Sequence, residues 1–235
     1  MLILGIETAT EQVSVALGGH EGVIARFEVA RGRRHAETLT PAIEFVCAQA
    51  DIGLPELGLI AVDVGPGLFT GMRVGLAAAK ALAYGLRLKM IGISSLDLLA
   101  FPHRRSDRVI VPVIDARKGE VFTAMYRQVP GGLQQVAAPA VGSVDDLVGD
   151  LLARNQDALL VGDGAHRYRD QILDGFHCEI ADDKYPSAAP LVQLAHAQAL
   201  REEWVNPNEV APIYLRAPDA QINWATRASA ARPDA

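Results

Sequence analysis

The residues best placed to do chemistry lie between positions 65 and 75, in the run Gly65-Pro66-Gly67-Leu68-Phe69-Thr70-Gly71-Met72-Arg73-Val74-Gly75. This reads as a strand end, a tight turn, an N-cap candidate in Thr70 and a helix that opens on glycines. A helix start of that kind can offer bare N–H groups to an anion. The Lys-Ser/Thr pair of a P-loop is missing, so a Walker site is excluded, and close strand–helix packing accounts for the same glycines without a ligand. Two further candidates, Glu7 and Asp115, are carboxylates that end apolar runs. The six histidines (His20, His35, His103, His166, His177 and His196) have no i, i+4 partner among them, and Cys47 and Cys178 have no zinc spacing. Cys47 sits in an apolar helical stretch and reads as a small buried hydrophobe. No Ser/His/Asp set at usable spacing supports a peptidase.

The elements that would position these residues follow from periodicity. Leu2 to Ile6, Val13 to Leu17 and Val23 to Val29 read as three strands joined by turns, and Leu39, Ile43, Val46 and Ala50 recur at helical spacing. Leu59 to Val64 suits a buried parallel strand. A helix is expected from Thr70 to about Leu86 and a strand from Lys89 to Ile93, which completes a βββαβαβ order. The order then repeats. Shifting the chain by 108 residues pairs Ile6 with Ile114, Glu7 with Asp115, Val13 with Val121 and Ala16 with Ala124 without a gap, and Gly162-Asp163-Gly164 stands where Gly65-Pro66-Gly67 stood. A duplicated α/β unit follows, with residues 1–103 as one subdomain and 104–222 as the other. A long helix from Ser187 to Trp204 is assigned to the second subdomain, and residues 223–235 read as a flexible tail.

Two such halves facing a cleft is the architecture of actin, sugar kinases and chaperone ATPases, so the expected fold is actin-like α/β. In those proteins the first turn of each half cradles phosphates. Here the turn at 7–12 has no glycine and that at 115–119 has one, so side chains would crowd a phosphate. A nucleotide-dependent kinase or ATPase is therefore the alternative rather than the leading reading.

Composition sets outer bounds. At about 150 residues per domain, 235 residues make one large domain or two small ones, and 50% hydrophobic with 21% charged is globular. A net charge of −6 is the opposite of a dedicated nucleic-acid binder. The arginine groups Arg26, Arg31, Arg33, Arg34 and Arg104, Arg105, Arg108 lack interleaved aromatics and read as solvated faces. Glu7 interrupts the first apolar run before it reaches signal length, and Val74 to Leu86 carries Lys80 and is too short to span a bilayer. A soluble cytoplasmic protein is the expectation.

Four segments together carry a family resemblance: the ILGIETAT start, the GPG-x-FTG-x-R-x-G block, RRHAETLTPAIEFV, and PIYLR at Pro212 to Arg216. They resemble the TsaB family of bacterial tRNA threonylcarbamoyladenosine biosynthesis proteins, also described as glycoprotease-like. The resemblance covers most of residues 1–103 and resumes near 212. It departs at Leu68, where the family usually has serine.

The resemblance implies a paralogue of TsaD, the subunit that transfers threonylcarbamoyl to adenosine 37 of tRNA. TsaD holds a metal with an HxxxH pair whose two positions fall here on Ser95 and Leu99. Leucine cannot ligate a metal and a neutral serine hydroxyl is a poor ligand. A non-catalytic subunit is therefore expected, with no catalytic, cofactor-binding or metal-binding residue. The resemblance implies binding to TsaD through the helices near 36–50 and 74–86 in a four-helix bundle, with the ATPase TsaE joining and tRNA met only through the complex. A homodimer of the isolated chain stays open. The helix 74–86 is apolar on nearly every face, which suits a core helix or a helix facing a partner. The partner reading places Leu39, Ala42, Phe45, Gly75, Ala79 and Ala83 at the interface.

Overall fold

A computed structural model describes residues 1–32 and 34–216; Arg33 and the tail expected at 223–235 lie outside the described residues. The strands are β1 (Ile3–Glu7), β2 (Gln12–Gly19), β3 (Gly22–Ala30), β4 (Leu59–Asp63), β5 (Lys89–Ile93), β6 (Val109–Arg117), β7 (Glu120–Val129), β8 (Gly132–Ser143), β9 (Ala158–Val161) and β10 (Glu179–Ile180). The helices are α1 (His35–Ala50), α2 (Phe69–Leu86), α3 (Ser95–Ala100), α4 (Val144–Arg154), α5 (Asp163–Arg167), α6 (Arg169–Gly175) and α7 (Ala188–Ala199).

The strands form two five-stranded sheets, ordered β3-β2-β1-β4-β5 and β8-β7-β6-β9-β10. In each, the first strand pairs antiparallel with the second and parallel with the fourth. Glu7 ends β1, and Asp115 lies two residues before the end of the equivalent strand β6. This is the duplicated actin-like α/β fold, and the third strand of the second unit, which periodicity left unassigned, is β8.

Alternation along the strands sorts the first core into two layers. Leu4, Ile6, Val15, Leu17, Ile60 and Val62 point toward α1 and α2. Ile3, Ala16, Leu59, Ala61 and Ile91 point to the opposite face, where α7 lies. Each large side chain buried this way contributes about 1.5–3 kcal/mol relative to exposure.

The placement of α7 corrects its assignment to the second subdomain. Its first turn is tied to β2, since the Ala188 N–H donates to Ser14 Oγ at 2.8 Å. Gly5 leaves room for it, because a Cβ there would lie 3.0 Å from Val192 Cγ2. The helix stops at Ala199 rather than Trp204; the chain turns at Glu202 (φ 59°), and Val205 then pairs with Met90. Tyr168 separates two short helices, α5 and α6.

The glycine block is a packing device. The Leu68 N–H donates to the Ala9 carbonyl at 2.6 Å, and Thr8 Oγ1 donates to the Gly71 carbonyl at 2.8 Å. A Cβ would come within 2.2 Å of Ala9 O at Gly67, 2.1 Å of Thr8 O at Gly71 and 2.2 Å of Thr8 Oγ1 at Gly75. The N-cap of α2 is Leu68, without a side-chain bond, and Thr70 lies inside the helix. We expect Gly71→Ala to destabilise the protein by about 1–3 kcal/mol through overpacking, although alanine favours helix by about 1 kcal/mol; a lower urea midpoint at unchanged slope is the check.

Candidate functional site

Two regions carry the chemistry that the sequence pointed to: the strand ends between the sheets, and the outer face of α1 and α2. At the strand ends the turns after β1 and β6 are joined by side chains. Arg117 Nη2 donates to Glu11 Oε1 at 2.7 Å while its Nη1 donates to Asp115 Oδ2 at 3.1 Å. Arg117 and Lys118 both adopt positive φ (66° and 57°), followed by Gly119 at 79°. In the facing turn the Ala9 N–H donates to Glu7 Oε1 at 2.7 Å, and His35 Nε2 donates to the Thr10 carbonyl at 2.7 Å. A phosphate cradle needs bare N–H groups and no crowding. These turns do not fit one, because a side chain already takes the Ala9 donor and Arg117 spans the gap.

Behind the turns runs a set of buried acids. Asp63, at the end of β4, accepts from the Gly65 N–H at 2.7 Å and from Ser95 Oγ at 2.7 and 2.9 Å. Asp97 on α3 accepts from the Tyr126 hydroxyl on β7 at 2.7 Å, which ties the helix to the second sheet. Burial pushes the Asp63 carboxyl up to about 7, against the lowering effect of the Ser95 and Gly65 hydrogen bonds. Burial, with Asp63 nearby, lifts Glu7 well above the usual carboxylate range, and its Oε2 has no hydrogen-bond partner among the described residues. In the second unit burial takes Asp163 up to about 6. The two positions suggested as metal places are otherwise engaged: Ser95 is bonded to Asp63, and Leu99 is packed among Ile110, Ile114 and Val161. That surrounding does not fit a metal.

The structure revises the interface set. Leu39 and Ala42 face the sheet from α1, and Ala79 and Ala83 on α2 are 0% exposed. Gly75 is buried against Thr8 and Ile6. Of the six residues expected to face a partner, five are buried and only Phe45 is exposed, at 48%, with its ring edge-on to Phe27 at 5.8 Å. The small-residue stripe thus serves helix–sheet contact, and the reading that puts Ala79 at the surface is corrected. The outward stripe of α2 is Arg73, Ala77, Ala81 and Tyr84. It lies two residues out of phase, a rotation of about 200° at 3.6 residues per turn. Tyr84 is 52% exposed, and α1 adds Pro41, Phe45 and Ala48 beside it.

A family model described as TsaD, tRNA N6-adenosine threonylcarbamoyltransferase, matches residues 23–224. The chain is 30% identical over 229 residues to the tRNA threonylcarbamoyladenosine biosynthesis protein TsaB of Bacillus subtilis, covering 95% of this chain and 98% of that one. It is likewise 30% identical to Escherichia coli TsaB over 92% of this chain and 95% of that protein. The chain belongs to the TsaB family. Among solved structures, one of a Pseudomonas aeruginosa protein with similarity to peptidase YeaZ aligns with a TM-score of 0.81 and 27% identity, covering 92% of this chain and 99% of that one. P. aeruginosa YeaZ itself gives 0.78 and 26%, covering 91% and 99%.

The TsaB sequence signature therefore marks the fold more than a ligand site. Its ILGIET start supplies Glu7 and Thr8, and its GPG block supplies the glycines that dock on them. The buried acids Asp63 and Asp97 escaped sequence reading; the one signal was a lone carboxylate inside the apolar run at 59–64. They generate a pH dependence. The Asp63 carboxyl binds its proton until about pH 7 when folded, against an ordinary value of 3.8. Between those values the folded state holds the extra proton, so stability falls as pH rises and levels off above about 7. Asp63→Asn, which cannot ionise, should flatten the fall in urea-unfolding free energy between pH 4 and 7.

Proposed function

We propose that this protein is a non-catalytic subunit of the tRNA threonylcarbamoyladenosine machinery, which binds and organises TsaD through the outer face of α1 and α2. The relatives' names support participation in that biosynthesis. The observation that carries the subunit role is the exposed side of α2, with Ala77, Ala81 and Tyr84, next to an α1 that exposes Phe45. Two small residues one turn apart, followed by an aromatic one, let a partner helix approach closely while the Tyr84 ring packs at its side. The neighbouring α1 exposes Pro41, Phe45 and Ala48, so two helices of a partner could complete a four-helix contact.

The non-catalytic reading is supported by the engaged turns and by the packing around Ser95 and Leu99. TsaE joins the assembly through the complex in this reading, and tRNA is met there rather than by the isolated chain, whose net charge is −6. No helix among the described residues is long and apolar enough to cross a membrane, and the proposal places the complex in the cytoplasm. The same face would pair two copies of the chain when TsaD is absent.

Arginine substitutions on opposite sides of α2 test the assignment. Ala81→Arg should fold normally and lose TsaD in a pull-down, with binding weakened by about 2 kcal/mol or more, roughly 30-fold. Ala79→Arg should instead fail to fold, because it places a cation inside a packed core. A folded Ala81→Arg protein that binds TsaD as well as the parent removes this face from the contact.

A further inference from the structure

Of the edges that bound the two sheets, three are guarded. Beside β5 the chain returns and pairs Val205 with Met90. On β8, Pro139 interrupts the row of donors, and the pairing with β7 shifts register. The β10 edge is only two residues long. The remaining edge, β3, has nine residues and no proline, and it pairs with β2 without a shift from Ala25 to Ala30. An edge of that kind is a template for another strand.

The direction of its free backbone groups follows from the ladder. The Leu59 N–H donates to the Leu2 carbonyl, so even-numbered groups of β1 point to β4 and odd-numbered ones to β2. Carried through Gly5–Ala16 and Glu7–Ser14, and then Val15–Phe27 and Val13–Val29, this turns the backbone groups of Phe27 and Val29 toward β2. Those of Arg26, Glu28 and Ala30 therefore face outward along the edge. Their side chains are exposed as well. Glu28 Oε1 accepts from the hydroxyls of Ser187 and Ser14, which sets Glu28, and by alternation Arg26, on the α7 side of the sheet. Both donors are neutral, so no cation pairs with Glu28 among the described residues, and Arg26 has no hydrogen-bond or ion-pair partner among them. Ala25, Phe27 and Val29 turn to the other side and pack on the α1 core.

We propose that β3 pairs antiparallel with β3 of a second copy of this chain, about a two-fold axis at Phe27. The strand is complementary to itself in that register. Arg26 lies opposite the partner's Glu28, Glu28 opposite the partner's Arg26, and Ala25 opposite the partner's Val29. Opposite charges and apolar pairs facing each other across strands stabilise a sheet. The backbone phase agrees, because Arg26 and Glu28 are the residues whose N–H and C=O groups point outward and can exchange both bonds. Centring the axis on Arg26 or Glu28 opposes like charges. Centring it on Ala25 or Val29 leaves both charges without an opposite partner. The contact is isologous and joins two five-stranded sheets into one continuous sheet. Its charges lie on the α7 side, away from the α1–α2 face, so it stands independently of the TsaD contact.

Sedimentation of the full chain carrying Ala81→Arg, which blocks pairing through α2, isolates this edge. A monomer–dimer equilibrium should remain. Adding Arg26→Glu or Glu28→Lys puts like charges across the axis, and each should weaken the dimer by about tenfold or more. Mixing those two proteins should restore it, since each copy then meets opposite charges on the other. Hydrogen exchange of the Ala81→Arg protein needs no edge variant: the Arg26 and Glu28 amides should slow as concentration rises, while those of Phe27 and Val29 stay protected throughout. A monomer at all concentrations, a dimer indifferent to either charge reversal, a mixture that stays monomeric, or Arg26 and Glu28 amides insensitive to concentration would each overturn the assignment.

Discussion

The fold rests on how closely α2 approaches the turn after β1. Three glycines four residues apart in sequence, Gly67 before α2 and Gly71 and Gly75 within it, meet Ala9 and Thr8 where any Cβ would collide with oxygen. Thr8 and Leu68 convert that contact into hydrogen bonds. Close approach is a steric constraint before it is an energetic one, since a well-packed core tolerates an added methyl poorly. Once α2 is seated, Ala79 and Ala83 must face the sheet, and the opposite side of the helix must face outward. The exposed seam is thus a geometric consequence of the buried stripe.

The same constraint shapes the strand ends. With α2 drawn onto the first turn, that turn is held from behind by Gly71 and from the side by His35. Arg117 closes it from the second sheet. An architecture that elsewhere opens a cleft for a nucleotide here ties its two turns together through Glu11, Arg117 and Asp115. Buried acids behind the turns, Glu7 and Asp63, are held by short hydrogen bonds and burial, and they stay protonated into a range where exposed carboxylates are charged.

Much of this was legible in the sequence. The 108-residue register placed Glu7 and Asp115 on equivalent strands, and alternation located most strands because one face of each is buried. The apolar character of α2 showed that it packs on more than one side, but not which side meets its own sheet. Composition could not decide that, because Ala77 and Ala81 outside and Ala79 and Ala83 inside are the same residue type. Only the clash at Thr8 fixes the rotation. The terminal helix was misassigned for a similar reason: chain order put it with the second sheet, whereas Gly5 and Gly18, distant in sequence, make its groove on the first. Thr70 looked like a cap because its residue type suits one, but the Leu68–Ala9 bond starts the helix earlier.

The central claim is that the outer face of α1 and α2 meets TsaD while the inter-sheet region does not. Hydroxyl-radical footprinting of the chain with and without TsaD tests it directly, because oxidisable rings mark both surfaces. The account predicts that oxidation of Phe45 and Tyr84 falls on complex formation while that of Phe69 and Tyr214 is unchanged. Protection of Phe69 and Tyr214 with Phe45 and Tyr84 still reactive would contradict it.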